Sequence, residues 1–339
     1  MIKVINPGFF TTVQDEGRYG YQAFGIPVSG AMDAYAYIVA NILVGNTSGA
    51  AVIEMISSGG TFQFVKDSYI SICGADMGAT LNGEKVAPWT AFYVDAGSIL
   101  EFGYSQRGTY TYLAAYGGID VPLILGSRST YTRGGIGGNY GRPLKVNDTL
   151  EIGEHNNLPM NTIILSEKFI KKYENKLILR VLLGPQDNYF GKEGKATFFE
   201  NEYIIGDDIS RMSSNLEGKL IKHSAKPDIV SDASCMGAIQ IPGSGEPIIM
   251  MADRQTTGGY AKIGAVITAD LWKLAQAKPG DKVLFRLCTE ELAEEELRAL
   301  YASYAEVEDF AVASRQALYR KYNVKVGGQQ YHLNIMEVQ

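Results

Sequence analysis

The chain has 339 residues, 46% of them hydrophobic and 20% charged, which is the composition of a packed chain and not of a disordered one. That length accommodates two domains with cores of their own. A formal net charge of −6 supplies no basic face for nucleic acid, and no run approaches the roughly 18 apolar residues of a membrane helix.

The first eight residues, Met1 to Gly8, lack the apolar stretch and small-residue cleavage site of a signal peptide. Cys73, Cys235 and Cys288 are odd in number, widely spaced and set among apolar neighbours. They read as reduced core thiols of a cytoplasmic protein. His155, His223 and His332 form no metal-ligand spacing with them, so no metal site is expected.

Thirty-eight glycines, 21 tyrosines and many short β-branched runs predict a mainly β chain. Residues 11–33 come first, a segment crowded with polar groups and glycines that cannot be a plain core strand. A helix is expected over 33–44, from apolar residues at helical spacing, Ser29 or Asp33 as N-cap and Gly45 as C-cap. Strands follow at 68–73, 91–94, 98–102 and 109–114, with an Asn82-Gly83 hairpin turn among them. The polar stretch around Lys171-Lys172 marks a boundary, giving units over 1–170 and 177–288. Few helices are expected before residue 265. A faint internal echo links the halves: Pro27 precedes Asp33 by six residues, as Pro247 precedes Asp253, and each leads toward an apolar, helix-like run. The run 283–287 reads as the last strand of the second unit. The tail, 289–339, predicts a helix over 290–304 capped by Thr289, a second over 307–322, and a hairpin turning at Gly327-Gly328.

Reactive groups are densest in Asp253-Arg254-Gln255-Thr256-Thr257-Gly258-Gly259-Tyr260-Ala261-Lys262, which follows the buried-strand run 247–251. A carboxylate at Asp253 suits an amide N–H, Lys262 suits an anion, and the glycines permit close backbone approach. An ordinary charged turn is the alternative. Arg128 and Arg142, the latter after Gly137-Gly138-Asn139-Tyr140-Gly141, offer planar guanidinium groups for a substrate carboxylate, with structural salt bridges as the alternative. Gln14, Asp15, Arg18, Ser29 and Asp33 are candidates for an opposing wall, although Asp15 with Arg18 also reads as a local pair. The glycine-rich 134–138 lacks the Gly-Lys-Ser/Thr ending of a phosphate loop, and no Gly-x-Ser-x-Gly elbow occurs. Ser57-Ser58-Gly59-Gly60 lacks the flanking glycines of an amidase nucleophile run. No Met is followed by Lys, so no biotin attachment site is present.

Several blocks, in order, resemble the signatures of the biotin-dependent carboxyltransferase family, whose members include subunits of bacterial 5-oxoprolinase and the carboxyltransferase part of urea amidolyase. They are residues 11–33, Ala40-Asn41-Ile42-Leu43-Val44-Gly45-Asn46, Gly74-Ala75-Asp76, 117–122, 125–131, Gly184-Pro185-Gln186 and 252–260. The resemblance implies two tandem cyclophilin-like β-barrel domains facing each other, with a helical C-terminal extension. It implies the role of the C subunit of an ATP-dependent 5-oxoprolinase that turns 5-oxoproline into glutamate. ATP would be bound with a smaller partner, the B subunit, and a separate A subunit would complete the reaction. Asp253, Lys262 and Arg128 would then be catalytic. Gln14, Arg18, Ser29, Asp33, Asn139, Gln255, Thr256, Gly258 and Tyr260 would bind a small amide substrate in the cleft between the barrels. Carboxyl transfer from a carboxybiotin carried on another chain to urea, and a regulatory role in which the chain binds a smaller partner, are the other roles known in the family.

Overall fold

Period-two alternation in the first half produces two antiparallel sheets rather than one continuous ladder. In the computed structural model, which describes residues 1–154, 158–316, 318–327 and 329–337, one sheet has seven strands. Their order is Ile119–Asp120, Thr149–Ile152, Ile2–Asn6, Thr61–Phe64, Ile99–Glu101, Thr80–Leu81 and Glu84–Lys85. The other has six, ordered Ile163–Ile164, Thr90–Val94, Ser68–Gly74, Tyr110–Ala115, Val52–Ile56 and Phe10–Gln14. Ile53, Met55, Ile72 and Leu113 meet Ile2, Val4, Phe62 and Phe64 in one core between the sheets. Their alternates on the same strands, Val52, Glu54, Tyr110 and Tyr112, face the other way, toward the second half. The Asn82-Gly83 turn is present, and both residues have positive φ, 51° and 86°, as a tight hairpin of that type requires.

Helix α1 (Ala34–Val44) lies on the outward face of the six-stranded sheet and is buried along most of its length. Asp33 Oδ1 accepts the Ala36 N–H at 3.1 Å and Gly45 ends the helix at φ 86°. The second half is a closed seven-stranded barrel in the order Lys176–Leu183, Lys262–Val266, Ala238–Gln240, Ile248–Met250, Ser213–Glu217, Tyr203–Ile209 and Lys282–Leu287. The last strand closes it by pairing in parallel with the first, Leu177 opposite Val283. Leu179, Ile205, Ile239, Ile263 and Phe285 fill it, in a cluster continuous with α1. Cys73 and Cys288 are buried free thiols as expected, whereas Cys235 is exposed and takes no part in the core.

Three expectations about the elements are corrected. Helix α2 (Gly191–Glu200) was not foreseen, because it buries only Gly194 and Phe198 and so carries little apolar periodicity. Two strands follow Asp253, Thr257–Tyr260 and Lys262–Val266, whereas α1 follows Asp33, so the run expected to be helix-like after Asp253 is strand. A short helix α3 (Leu271–Ala275) comes later. In the tail a single helix α4 (Glu290–Gln316) replaces the expected pair, since no Gly or Pro interrupts residues 301–316. Thr289 does cap it, its Oγ1 accepting from Leu292 N at 3.3 Å. The strands Leu318–Val326 and Gln329–Glu337 then form a hairpin with Val326 opposite Gln329. The hairpin therefore begins where the second helix was expected to continue; Gly328 and His155 lie outside the described residues. Helix α4 docks on α1, and Arg315 Nη1 donates to the Ile42 and Leu43 carbonyls at its C-terminal end. Among the described residues no helix is long and apolar enough to cross a membrane.

Candidate active site

A cavity of about 580 Å³ lies between the two halves. Phe10, Tyr110 and Arg133 line it from the first half, and Ile209, Arg211 and Asp253 from the barrel. Arg211 occupies the turn between the strands Tyr203–Ile209 and Ser213–Glu217, a hairpin tip closed by the Ser210 N–H on the Ser213 carbonyl. A long side chain at such a tip projects away from its own barrel. Arg211 crosses into the first half and is buried there.

Its guanidinium donates to three widely separated stretches. Nε and Nη2 bind Asp253 Oδ2 and Oδ1 at 2.9 and 3.1 Å, Nη1 binds Glu54 Oε1, and Nη2 also reaches the Gly30 carbonyl at 2.6 Å. Burial alone would lower the Arg211 pKa, but the charges of Asp253 and Glu54 outweigh it and hold the guanidinium above its usual range. Glu54 is fully buried, accepting the Met32 N–H at 2.8 Å and the Tyr112 hydroxyl at 2.9 Å. Burial pushes its pKa up against the pull of Arg211. The Tyr112 oxygen in turn accepts the Asp33 N–H at 2.8 Å. Asp33 Oδ2 accepts from Gln276 Nε2 at 2.7 Å, and Gln276 Oε1 takes the N–H groups of Thr109 and Tyr110. Burial raises the Asp33 pKa to about 6. Each Asp253 oxygen accepts one bond from Arg211, so both retain acceptor capacity for a ligand N–H.

Arg133 is the cation of this cavity whose charge is unspent. It is exposed, its Nη1 rests 3.3 Å from Met212 Sδ, a weak acceptor, and among the described residues no carboxylate lies within 4 Å of it.

Of the residues expected from sequence, Asp253 lines the cavity and the others are placed elsewhere. Lys262 pairs with Asp232 at 2.9 Å on the barrel flank, beside Gln186. Its hydrogen bond holds the Asp232 carboxyl below the usual carboxylate range. Gln255, Thr256, Gly258 and Tyr260 lead into or lie on the strand Thr257–Tyr260, which pairs with Asp228–Ala233. Arg128 binds Asp120 at 3.0 Å and the Val121 carbonyl, and Arg142 binds Asp148 in two places. Both arginines are in the salt-bridge alternative. Asn139 hydrogen-bonds Asp148. Asp15 gathers Ser127, Ser129 and the Arg128 N–H around its carboxylate and so fastens the opening loop. Gln14 and Arg18 are fully buried against Thr130 and the Ile124 and Ser129 carbonyls. Ser29 lies in a second cavity and Asp33 in the network behind the first. Glu54, Arg211 and Arg133 were not foreseen. A lone carboxylate in the apolar strand Val52–Ile56 was a readable signal for Glu54; Arg211, in a Ser-Arg-Met-Ser turn, carries none. Among the described residues no group of His, Cys, Asp and Glu could hold a metal ion.

The fold and this cavity between the two halves define a carboxyltransferase-type module. The chain belongs to the family described as carboxyltransferase domain, subdomain A and B, whose model matches residues 24–287. It is 36% identical over 295 residues to the 5-oxoprolinase C subunit of Escherichia coli K12, covering 86% of this chain and 93% of that one. It is 34% identical over 304 residues to the urea amidolyase of Saccharomyces cerevisiae, covering 84% of this chain but 16% of that much longer protein. Among solved structures, the Kluyveromyces lactis urea amidolyase superposes with a TM-score of 0.85 at 30% identity, over 90% of this chain and 20% of that one. TTHA0988 superposes with a TM-score of 0.77 at 31% identity, over 84% and 56%.

Proposed function

We propose that this chain is the C subunit of a cytoplasmic, ATP-dependent 5-oxoprolinase, and that the cavity between its halves binds 5-oxoproline. The observation that carries the reading is the joint presence of Asp253 and Arg133 on one cavity. A lactam N–H suits the spare acceptor capacity of Asp253, and the ring carboxylate suits a guanidinium with no protein carboxylate of its own. Likeness to the E. coli protein over nearly its whole length supports the same reading. ATP is bound together with the smaller B subunit, and the A subunit completes ring opening to glutamate. The chain's own part is to orient the lactam and hold its charge. Arg133 thus takes the carboxylate-holding role expected of Arg128 and Lys262.

Carboxyl transfer to urea is favoured by one observation, the close superposition on the K. lactis enzyme. In that reading Asp253 holds a urea N–H, and carboxybiotin comes from another chain. Urea has no carboxylate, so Arg133 separates the two. The test is ATP-dependent glutamate formation by the complex reconstituted with its A and B subunits. Arg133→Ala is expected to raise KM for 5-oxoproline about 10- to 100-fold with a smaller change in kcat, the pattern of a lost ground-state contact. An unchanged KM would return Arg133 to the surface, and urea-dependent turnover with a biotin carrier would replace the proposal.

A further inference from the structure

A second cavity, of about 480 Å³, lies on the seam between the two halves under α4. Met32 lines both cavities, and adjacent residues divide between them: Asp253 lines the first and Arg254 the second. The two are therefore back to back across one side chain and one peptide.

Its walls are aromatic. Tyr35 stacks on Tyr304 at 5.6 Å and Tyr301 meets Tyr304 edge-on at 6.0 Å, with Trp272 also in the lining. Tyr301 remains 63% exposed, so this ladder has an open rung. Two polar features sit against it. Arg254 is 7% exposed, spends Nε and Nη1 on the Ser234 and Met251 carbonyls, and among the described residues has no carboxylate within 4 Å. Ser29 is 5% exposed, holds φ at 57°, and its Oγ is buried without a hydrogen-bond partner. A buried cation with no carboxylate in contact and a buried hydroxyl without a partner are both unfavourable unless a ligand completes them, and backbone held in the left-handed region at a non-glycine is concentrated at such sites.

We propose that this cavity is a second ligand site, for a small planar ring bearing one negative charge: the ring extends the Tyr304–Tyr301 ladder while the anion meets Arg254 and the Ser29 hydroxyl. Aromatic pairing favours the ring, and a charge-assisted bond to a desolvated guanidinium favours the anion. A nucleoside triphosphate does not suit it. The lining has a single arginine and also includes the carboxylate of Glu16, which opposes any ligand of high negative charge. The site is independent of the reading of the first cavity.

Trp272 lines this cavity and no tryptophan lines the first, so tryptophan emission responds to a ligand here and not to one in the first cavity. The probes are nicotinate and its neutral isostere nicotinamide, titrated at neutral pH into the full chain. Nicotinate is expected to change the emission and to bind at least about tenfold more tightly than nicotinamide. Arg254→Gln should abolish that preference, Ser29→Ala should weaken nicotinate several-fold, and Tyr301→Ala, on the exposed side of α4, should weaken both probes about tenfold. Arg133→Ala should leave all of this unchanged. Equal affinity for acid and amide in the wild type overturns the proposal, as does a response lost in Arg133→Ala. If Arg254→Gln does not fold, Ser29→Ala and Tyr301→Ala decide, and unaltered affinity in both also overturns it.

Discussion

Arg211 binds acceptors contributed by Gly30, Glu54 and Asp253, so one side chain from a barrel hairpin fixes three separate segments of the chain around the proposed substrate pocket. Removing one partner of a buried ion pair leaves the other uncompensated. Glu54→Gln is therefore expected to destabilise the fold by about 3 kcal/mol, read as a lower urea midpoint at unchanged slope. Asp253→Asn keeps one acceptor for Arg211 but turns an amide donor toward another guanidinium N–H. We expect a loss of about 1–3 kcal/mol together with a fall in kcat/KM of about 10²-fold or more, measured on the reconstituted complex. Retention of wild-type kcat/KM by folded Asp253→Asn would assign the residue to structure alone. At this scale Asp253 was legible, because a carboxylate directly after a buried strand has few reasons to be there. Lys262 and Arg128 misled, because sequence does not reveal that Asp232, 30 residues upstream of Lys262, or Asp120, eight residues upstream of Arg128, already occupies each cation. Arg133 was invisible beside its glycine-rich neighbours, since nothing local says which exposed arginine will overhang a cavity.

Helix α1 was legible almost to the residue, because its cap, apolar spacing and terminal glycine all agree. Local rules also recovered the Asn82-Gly83 turn and the closing strand Lys282–Leu287. They failed for α2, which buries too little to show a period, and for the length of α4, whose end depends on strand pairing beyond it. The α1 cap also brings a titrating group inside. Asp33 holds a pKa near 6 because burial opposes its charge, well above the unfolded value of about 3.9. A carboxyl raised in this way binds its proton more tightly when folded. Its stabilising contribution is full below about pH 4, declines as the pH rises through 6, and is constant above. The stability difference between wild type and Asp33→Asn should therefore fall by on the order of 3 kcal/mol between pH 4 and pH 7, measured by urea unfolding at each pH. A pH-independent difference would mean that Asp33 does not titrate in this window.

The two halves share one continuous core and two cavities on their common seam, so both cavities depend on the pair and neither half forms them alone. Length and the polar break near residue 171 gave the expectation of two units; the crossing contacts were not readable, because Arg211 and Gln276 meet partners that no local pattern names. The proposed role carries two expectations at this scale. The chain purified alone should show no ATP-dependent 5-oxoproline turnover and should co-purify with a smaller partner; full turnover by the isolated chain would sink the assignment. Protein from biotin-fed cells should show no streptavidin-reactive band at 37.0 kDa, since no Met-Lys acceptor exists. The bridges from Arg211 to Glu54 and from Gln276 to Asp33 span 157 and 243 residues. Contacts so distant along the chain carry a large loop-closure entropy and form late. During refolding these crossing contacts are thus expected to close last, with Arg211 and Gln276 still in water until the barrel and the amino-terminal sheets meet. The pocket comes into being only in that last encounter, so a stalled refolding reaction should yield well-ordered barrel strands with no binding capacity at all.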